Sequence, residues 1–163
     1  MNITEVRDSG IQGKGVFATT NISKGDIILA IDDSHVVKNV DALTEHQKQY
    51  ECDWLGEERT VLMQSPEKYI NHSCNPNTFV KTTDGVRRVV AMCYIKNGEE
   101  ITYDYAVNGY YDSDMPCHCG GKDCRGTISS NFFKLPRYRQ LEYLPYLDDW
   151  FRKKFKKEIE QIK

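Results

Sequence analysis

Asn71, His72, Ser73 and Cys74 stand in a row between the apolar pair Tyr69-Ile70 and the turn residues Asn75-Pro76-Asn77. An amide, an imidazole, a hydroxyl and a thiol in one short stretch suit three chemistries: hydrogen-bonding a ligand, holding a metal, or nucleophilic attack. Alone, the row does not choose among them. Further along, Cys117-x-Cys119-x-x-x-x-Cys124 places three thiols in one polar, glycine-rich loop. A structural zinc takes four ligands in a closed tetrahedron, so one place is left to fill. The candidates are Cys52, His72, Cys74, Cys93 and His118. Cys93 falls in an alternating strand pattern and reads as core, because free cysteine packs as a small hydrophobe. His118 lies between two ligands, an awkward place from which to join the same tetrahedron. Cys74, in a loop beside a proline turn, is the expected fourth ligand, which requires the first stretch and the cysteine loop to meet in space. The competing reading is a disulfide among Cys117, Cys119 and Cys124. Met1-Asn2-Ile3-Thr4-Glu5 shows no basic region followed by an apolar run, so the 6 cysteines read first as metal ligands.

The elements that must position these groups are mostly short strands. Ile3 to Val6 and Thr60 to Met63 are strand-like, Asp26 to Ile31 is a β-branched run expected to be buried, and Val36-Val37 suggests a further strand. Asp84-Gly85 sits between Thr78–Thr82 and Val86–Met92, a hairpin signal because both turn positions tolerate positive φ. Asn97-Gly98 is a second turn, leading into Glu99-Glu100-Ile101-Thr102-Tyr103-Asp104-Tyr105. Thr44-Glu45-His46-Gln47 fits a capping box that opens a short helix to about Cys52, with Trp54 and Leu55 following as core. After Pro136, the apolar positions Leu141, Leu144, Leu147, Phe151, Phe155, Ile159 and Ile162 recur at steps of three and four, which predicts a C-terminal helix interrupted at Pro145. Its other face carries Arg152, Lys153, Lys154, Lys156 and Lys157, read first as the solvated face of a docking helix, with a nucleic-acid patch as the other reading because the charges are concentrated. The glycine loop Arg7–Gly15 lacks both the dinucleotide and the phosphate-loop pattern. On its residues alone it is a hairpin loop needing positive φ, with close approach to a ligand as the other reading.

With 163 residues, the chain is expected to form one domain with its own core. A net charge of −2 argues against a general nucleic-acid clamp, and no stretch is long and apolar enough to span a membrane.

Three separated motifs, in order, resemble those of the SET-domain protein-lysine methyltransferases. They are Gly13-Lys14-Gly15-Val16-Phe17-Ala18, Tyr69-Ile70-Asn71-His72-Ser73-Cys74-Asn75-Pro76-Asn77 and Glu99-Glu100-Ile101-Thr102-Tyr103-Asp104-Tyr105. The cysteine loop with Cys124-Arg125-Gly126 resembles the family's post-SET zinc segment. The resemblance implies a mainly β (α+β) fold, a β-clip of small curved sheets with a threaded pseudoknot, plus the C-terminal helix. It divides the chain into a SET domain over 1–112, a post-SET zinc loop over 113–130 and a helical extension over 131–163. It implies that S-adenosylmethionine binds along Lys14, Gly15, Tyr69, Asn71 and His72, which turns the glycine loop into a ligand-approaching backbone. Tyr105 matches the catalytic tyrosine and Tyr103 the position that limits methylation state, pointing to mono- or dimethylation. Cys74, Cys117, Cys119 and Cys124 match the zinc ligands. The expected partner is a protein presenting a lysine, a histone tail among the possibilities, in the cell interior and, for a histone-directed eukaryotic enzyme, in the nucleus. Many members carry a channel tyrosine where this chain reads Ala30-Ile31-Asp32-Asp33-Ser34. Tyr110 and Tyr111 are read either as a channel lid or as packed loop aromatics. The alternative function is a non-catalytic SET-fold interaction module that keeps the zinc. A zinc hydrolase is excluded if the four-cysteine site is closed, since no position remains for water.

Overall fold

The computed structural model describes residues 2–55 and 59–162. Along the chain run β1 (Thr4–Asp8), β2 (Lys14–Ala18), β3 (Ile27–Ala30), helix α1 (Glu45–Tyr50), β4 (Cys52–Leu55), β5 (Arg59–Leu62), β6 (Asn71–His72), β7 (Thr78–Thr83), β8 (Val86–Ala91), β9 (Glu100–Tyr103), β10 (Tyr110–Pro116), β11 (Thr127–Asn131), and helices α2 (Arg137–Tyr143), α3 (Asp149–Lys154) and α4 (Lys156–Glu160). The strands form four small sheets, ordered β1-β2-β9-β6, β3-β8-β7, β4-β5 and β10-β11.

Local chemistry accounts for the turns. Asp84 and Gly85 have φ of 52° and 74°, the pair of positive values that lets a two-residue loop follow the twist of β7 and β8. Thr44 and Gln47 close a reciprocal capping box at the start of α1. The first two sheets enclose an aliphatic core of Val16, Ile22, Ile70, Val89, Ile95 and Ile101. A second, aromatic core of Phe132, Tyr143, Leu147 and Phe151 lies under the C-terminal helices.

Several expectations are corrected. Ile27 at the start of β3 is 56% exposed, while Ile28 and Ile31 are buried. Val36 makes only an isolated bridge to Val61. Trp54 is 39% exposed, because β4 and β5 form a two-stranded ribbon with an open face, and its ring meets Tyr111 at 5.6 Å instead of entering the core. Cys93 is exposed, since β8 ends at Ala91 and the strand alternation ends with it. The tail is three short helices rather than one. Pro145 falls in a 3-10 turn over Leu144–Tyr146, Asp148 then caps α3, and Leu141 is left 43% exposed. Asp148 also accepts from Thr82 N and Oγ1, bolting the tail to β7. On the basic face, Lys154 lies 4.3 Å over the Tyr110 ring.

Candidate active site

The central feature is the parallel pairing of β6 with β9, which sets Asn71 opposite Thr102 and His72 opposite Tyr103. Parallel strands need a long crossover, and the chain between them supplies the β7–β8 hairpin. The polar row of β6 is thereby laid beside Tyr103-Asp104-Tyr105. Ser73 N continues the pairing to Tyr103 O at 3.1 Å. Tyr105 donates its hydroxyl to Ile70 O at 2.9 Å and its backbone N–H to His72 Nδ1 at 3.3 Å. The His72 and Tyr105 rings meet edge-on at 5.2 Å, and Tyr103 and Tyr105 lie 5.0 Å apart.

Burial sets the protonation of this wall. It lowers the His72 pKa to about 4, against the pull of Asp104. Nδ1 accepts a backbone N–H, so the neutral ring carries its proton on Nε2, which faces Cys74 Sγ at 3.4 Å. The 3.7 Å approach of His72 to Asp104 is therefore not an ion pair. Desolvation likewise pushes the hydroxyls of Tyr103 and Tyr105 well above the ordinary tyrosine range. Asp104 is fully buried and fully matched: Arg125 grips it with bonds of 2.7 and 2.9 Å, Tyr143 OH donates at 3.2 Å and Ala106 N at 3.1 Å.

Beside this wall opens a cleft of about 990 Å³, lined among others by Lys14, Tyr69, Asn71, His72, Tyr103 and Tyr105. The Asn71 amide nitrogen holds the glycine loop, with Lys14 O at 2.9 Å and Glu100 Oε1 at 2.8 Å. Gly15 packs on the same carboxylate; a Cβ there would lie 2.3 Å from Glu100 Oε1. Both readings of the loop therefore have a structural counterpart: it is the turn of the β1–β2 hairpin, and its Lys14 borders the cleft. Tyr111 borders the cleft as well, and its hydroxyl bonds that of Tyr110 at 2.8 Å.

Cys74, Cys117, Cys119 and Cys124 converge, with all four sulfur atoms within 4.8 Å of one another. Every cysteine is a free thiol, so the disulfide reading falls. A tetrahedron with metal–sulfur bonds of ~2.3 Å has sulfur–sulfur edges of ~3.8 Å, and Cys74 Sγ lies 3.8 Å from Cys117 Sγ. The set fits one four-coordinate thiophilic cation. Backbone N–H groups of Arg125 and Gly126 point at Cys74 and Cys124 Sγ, each at 3.4 Å, the outer-shell support such a site needs.

The cleft lining also includes a group that sequence reasoning missed. Arg87 on β8 meets Asp33 with bonds of 2.8 and 2.7 Å, Asp53 at 2.5 Å and Glu67 Oε1 at 3.4 Å. Glu67 is 4% exposed and lines the cleft, and its Oε2 has no hydrogen-bond partner among the described residues. Burial, opposed by Arg87, raises its pKa to about 8. No local pattern marks Pro66-Glu67 as special. The one signal was the stretch Asp32-Asp33 standing where a channel tyrosine was expected.

A family model described as SET domain matches residues 13–106, more than half of the chain. The H3 lysine-4 specific histone-lysine N-methyltransferase of Aspergillus oryzae is 34% identical over 138 residues, covering 74% of this chain and 11% of that protein. The histone-lysine N-methyltransferase trr of Drosophila melanogaster is 34% identical over 132 residues, 72% of this chain and 5% of its own length. The chain thus spans about a tenth or less of these curated relatives. Among solved structures, KRYPTONITE in complex with mCHG DNA and SAH is similar in fold, with TM-score 0.58 and 24% identity over 77% of this chain and 28% of that one.

Proposed function

We propose that this chain, which belongs to the SET-domain family, transfers a methyl group from S-adenosylmethionine to the side-chain amine of a lysine in a protein. The observation that carries the reading is the register of β6 on β9, which sets Asn71-His72 against Tyr103-Asp104-Tyr105 along one cleft. Both relatives are histone-lysine N-methyltransferases, which supports a histone substrate and a nuclear setting. No helix among the described residues is long and apolar enough to cross a membrane. SAH in the KRYPTONITE complex supports the choice of methyl donor.

Lys14, Gly15, Tyr69, Asn71 and His72 form the cofactor side: Lys14, Tyr69, Asn71 and His72 border the cleft, and Gly15 lets the loop sit close on Glu100. When bound, S-adenosylmethionine supplies the methyl group on a positively charged sulfur. Zinc held by Cys74, Cys117, Cys119 and Cys124 is structural, a closed site that ties the cysteine loop (113–130) to the SET domain (1–112), with 131–163 as a helical extension.

The target amine must lose a proton, since free lysine has a pKa of about 10.4. Desolvation between Tyr103 and Tyr105 lowers that value. The Tyr105 hydroxyl has its hydrogen committed to Ile70 O, leaving its oxygen to accept an amine N–H and aim the nitrogen lone pair. Its own raised pKa makes it a positioning group rather than a base. The Tyr103 hydroxyl occupies room beside it, which favours mono- and dimethyl-lysine as products.

Incubating the purified protein with labelled S-adenosylmethionine and core histones, then mapping sites by mass spectrometry, tests the reading. Tyr105→Phe should lower the rate by ~10²-fold or more; an undiminished rate removes its role. Tyr103→Phe should raise the methylation state, and trimethyl-lysine made by the unaltered protein would defeat that part. No binding of S-adenosylmethionine by calorimetry would turn the reading toward an interaction module.

A further inference from the structure

The Arg87 cluster is charged in excess on one side. Three carboxylates, Asp33, Asp53 and Glu67, share one guanidinium, so a single positive charge faces three acids. Most of the hydrogen-bonding capacity is taken up between Arg87 and the two aspartates. Among the described residues Glu67 Oε2 is left without a partner, although the residue is only 4% exposed. A buried acceptor without a donor costs ~1–3 kcal/mol, and such a cost persists where the surroundings hold it for a ligand. The ligand that satisfies an unmatched acid at the edge of a cleft walled by Tyr103 and Tyr105 is a cationic N–H donor.

Two neighbouring acceptors, Asp104 and His72 Nδ1, are engaged, while the Tyr105 oxygen stays open to accept from the same amine. Asp104 has four donors, His72 Nδ1 takes the Tyr105 N–H, and the Tyr105 hydroxyl points its hydrogen at Ile70 O. We propose that Glu67 Oε2 receives the ammonium of the target lysine and takes its proton ahead of methyl transfer, an inference that rests on the methyltransferase reading above. In that step one N–H bond breaks, its electron pair stays on nitrogen, and an O–H bond forms at Oε2. The proton later passes to water as the product leaves. Nothing is oxidised or reduced.

The charged and titratable groups around Glu67 are Arg87 of β8, Asp53 of β4, Asp32 and Asp33 of the segment after β3, and Tyr103 of β9. Their sum, dominated by burial, brings the carboxyl to about 8, close to neutral pH, where a general base is most useful. The acid after β3 that anchors Arg87 is Asp33, in the stretch where many SET-domain chains carry a channel tyrosine.

The test uses the full chain labelled with carbon-13. The Glu67 side-chain carboxyl resonance, assigned by its loss in Glu67→Gln, is followed while n-butylammonium chloride is added as a lysine side-chain probe. n-Butanol and magnesium chloride serve as comparison arms. The expected result is a saturable shift with butylammonium, none with butanol, and a lower apparent pKa for Glu67 in the bound state. No response to butylammonium, an equal response to butanol, or a stronger response to magnesium overturns the proposal; the titration itself is read on the unaltered chain, and Glu67→Gln serves only to assign the resonance. In the methylation assay, Glu67→Gln should lower kcat by ~10²-fold near neutral pH, a deficit that narrows toward pH ~9.5 as free amine forms unaided. A purely structural role would leave the deficit independent of pH. If the unaltered chain methylates lysine and Glu67→Gln does so equally at every pH, this inference fails and the methyltransferase reading stands. If the chain neither binds S-adenosylmethionine nor methylates, yet Glu67 answers to butylammonium, the cation site stands and the methyltransferase reading fails.

Discussion

Asp104 and Glu67 are both buried carboxylates facing an arginine, and both belong to the lining of one cleft. Asp104 has Arg125 to itself, with two short bonds, and adds a tyrosine hydroxyl and a backbone N–H. Glu67 shares Arg87 with two aspartates, reaches it at 3.4 Å with one oxygen, and leaves the other unmatched. Asp104 therefore acts as a bolt: it joins the Tyr-Asp-Tyr motif to the cysteine loop through Arg125 and to α2 through Tyr143. Glu67 joins little and retains an unsatisfied acceptor. Within one small molecule, a matched buried acid marks scaffold and an unmatched one marks a place held open for a ligand.

The comparison can be broken first at the cysteines, because Arg125 N–H points at Cys74 Sγ and a metal held there would fix both. Metal analysis should find about one zinc per chain, and zinc binding to such sites is coupled to folding by on the order of 10 kcal/mol. Cys74→Ser or a strong chelator should then lower the melting temperature steeply and release the β10–β11 region in hydrogen exchange. Unchanged metal content and melting in Cys74→Ser would mean that Cys74 is not a ligand.

Arg125→Ala comes next. It strands Asp104 in the interior, which for a broken buried pair costs roughly 3–5 kcal/mol, readable as a shifted denaturant midpoint. A loss well under ~1 kcal/mol, the range of exposed pairs, would show that Asp104 is not the bolt.

The Glu67 effect is smaller and has the opposite sign. Its carboxyl titrates at about 8 in the folded chain, against ~4.3 when unfolded. Between those values the folded state holds the extra proton, so its contribution to stability is complete below ~4.3 and is lost as pH rises through the folded value. Glu67→Gln, permanently neutral, should match the unaltered chain below pH ~4.3 and exceed it by a few kcal/mol near pH ~9. Thermal melts at the two pH values check this, and an equal difference at both would count against a raised Glu67.

Much of the site was legible before any coordinates. The cysteine spacing called for a fourth ligand, with Cys74 expected, and Cys74 Sγ lies 3.8 Å from Cys117 Sγ in a group of four thiols. The Asp84-Gly85 turn and the Thr44 capping box formed where their residues required, because both depend on φ preferences and hydrogen bonds within four residues. Trp54 and Cys93 were misplaced for the converse reason. An apolar side chain on a ribbon, or just past a strand end, is buried or exposed according to what packs against it, and no local pattern carries that information.

Residue types and local spacing by themselves determined the chemistry on offer: an amide–imidazole–thiol row, a tyrosine pair, a thiol loop and the short strands that carry them. Its arrangement in space came from contacts between distant segments. Asn71 meets Thr102 only through a parallel pairing across an intervening hairpin, and Asp104 meets Arg125 only because the cysteine loop folds back. Glu67 acquires its character from Arg87, Asp33 and Asp53, each supplied by a different part of the chain. A carboxyl's charge state depends on desolvation and on neighbours within a few ångströms, quantities that exist only once the chain has closed around it.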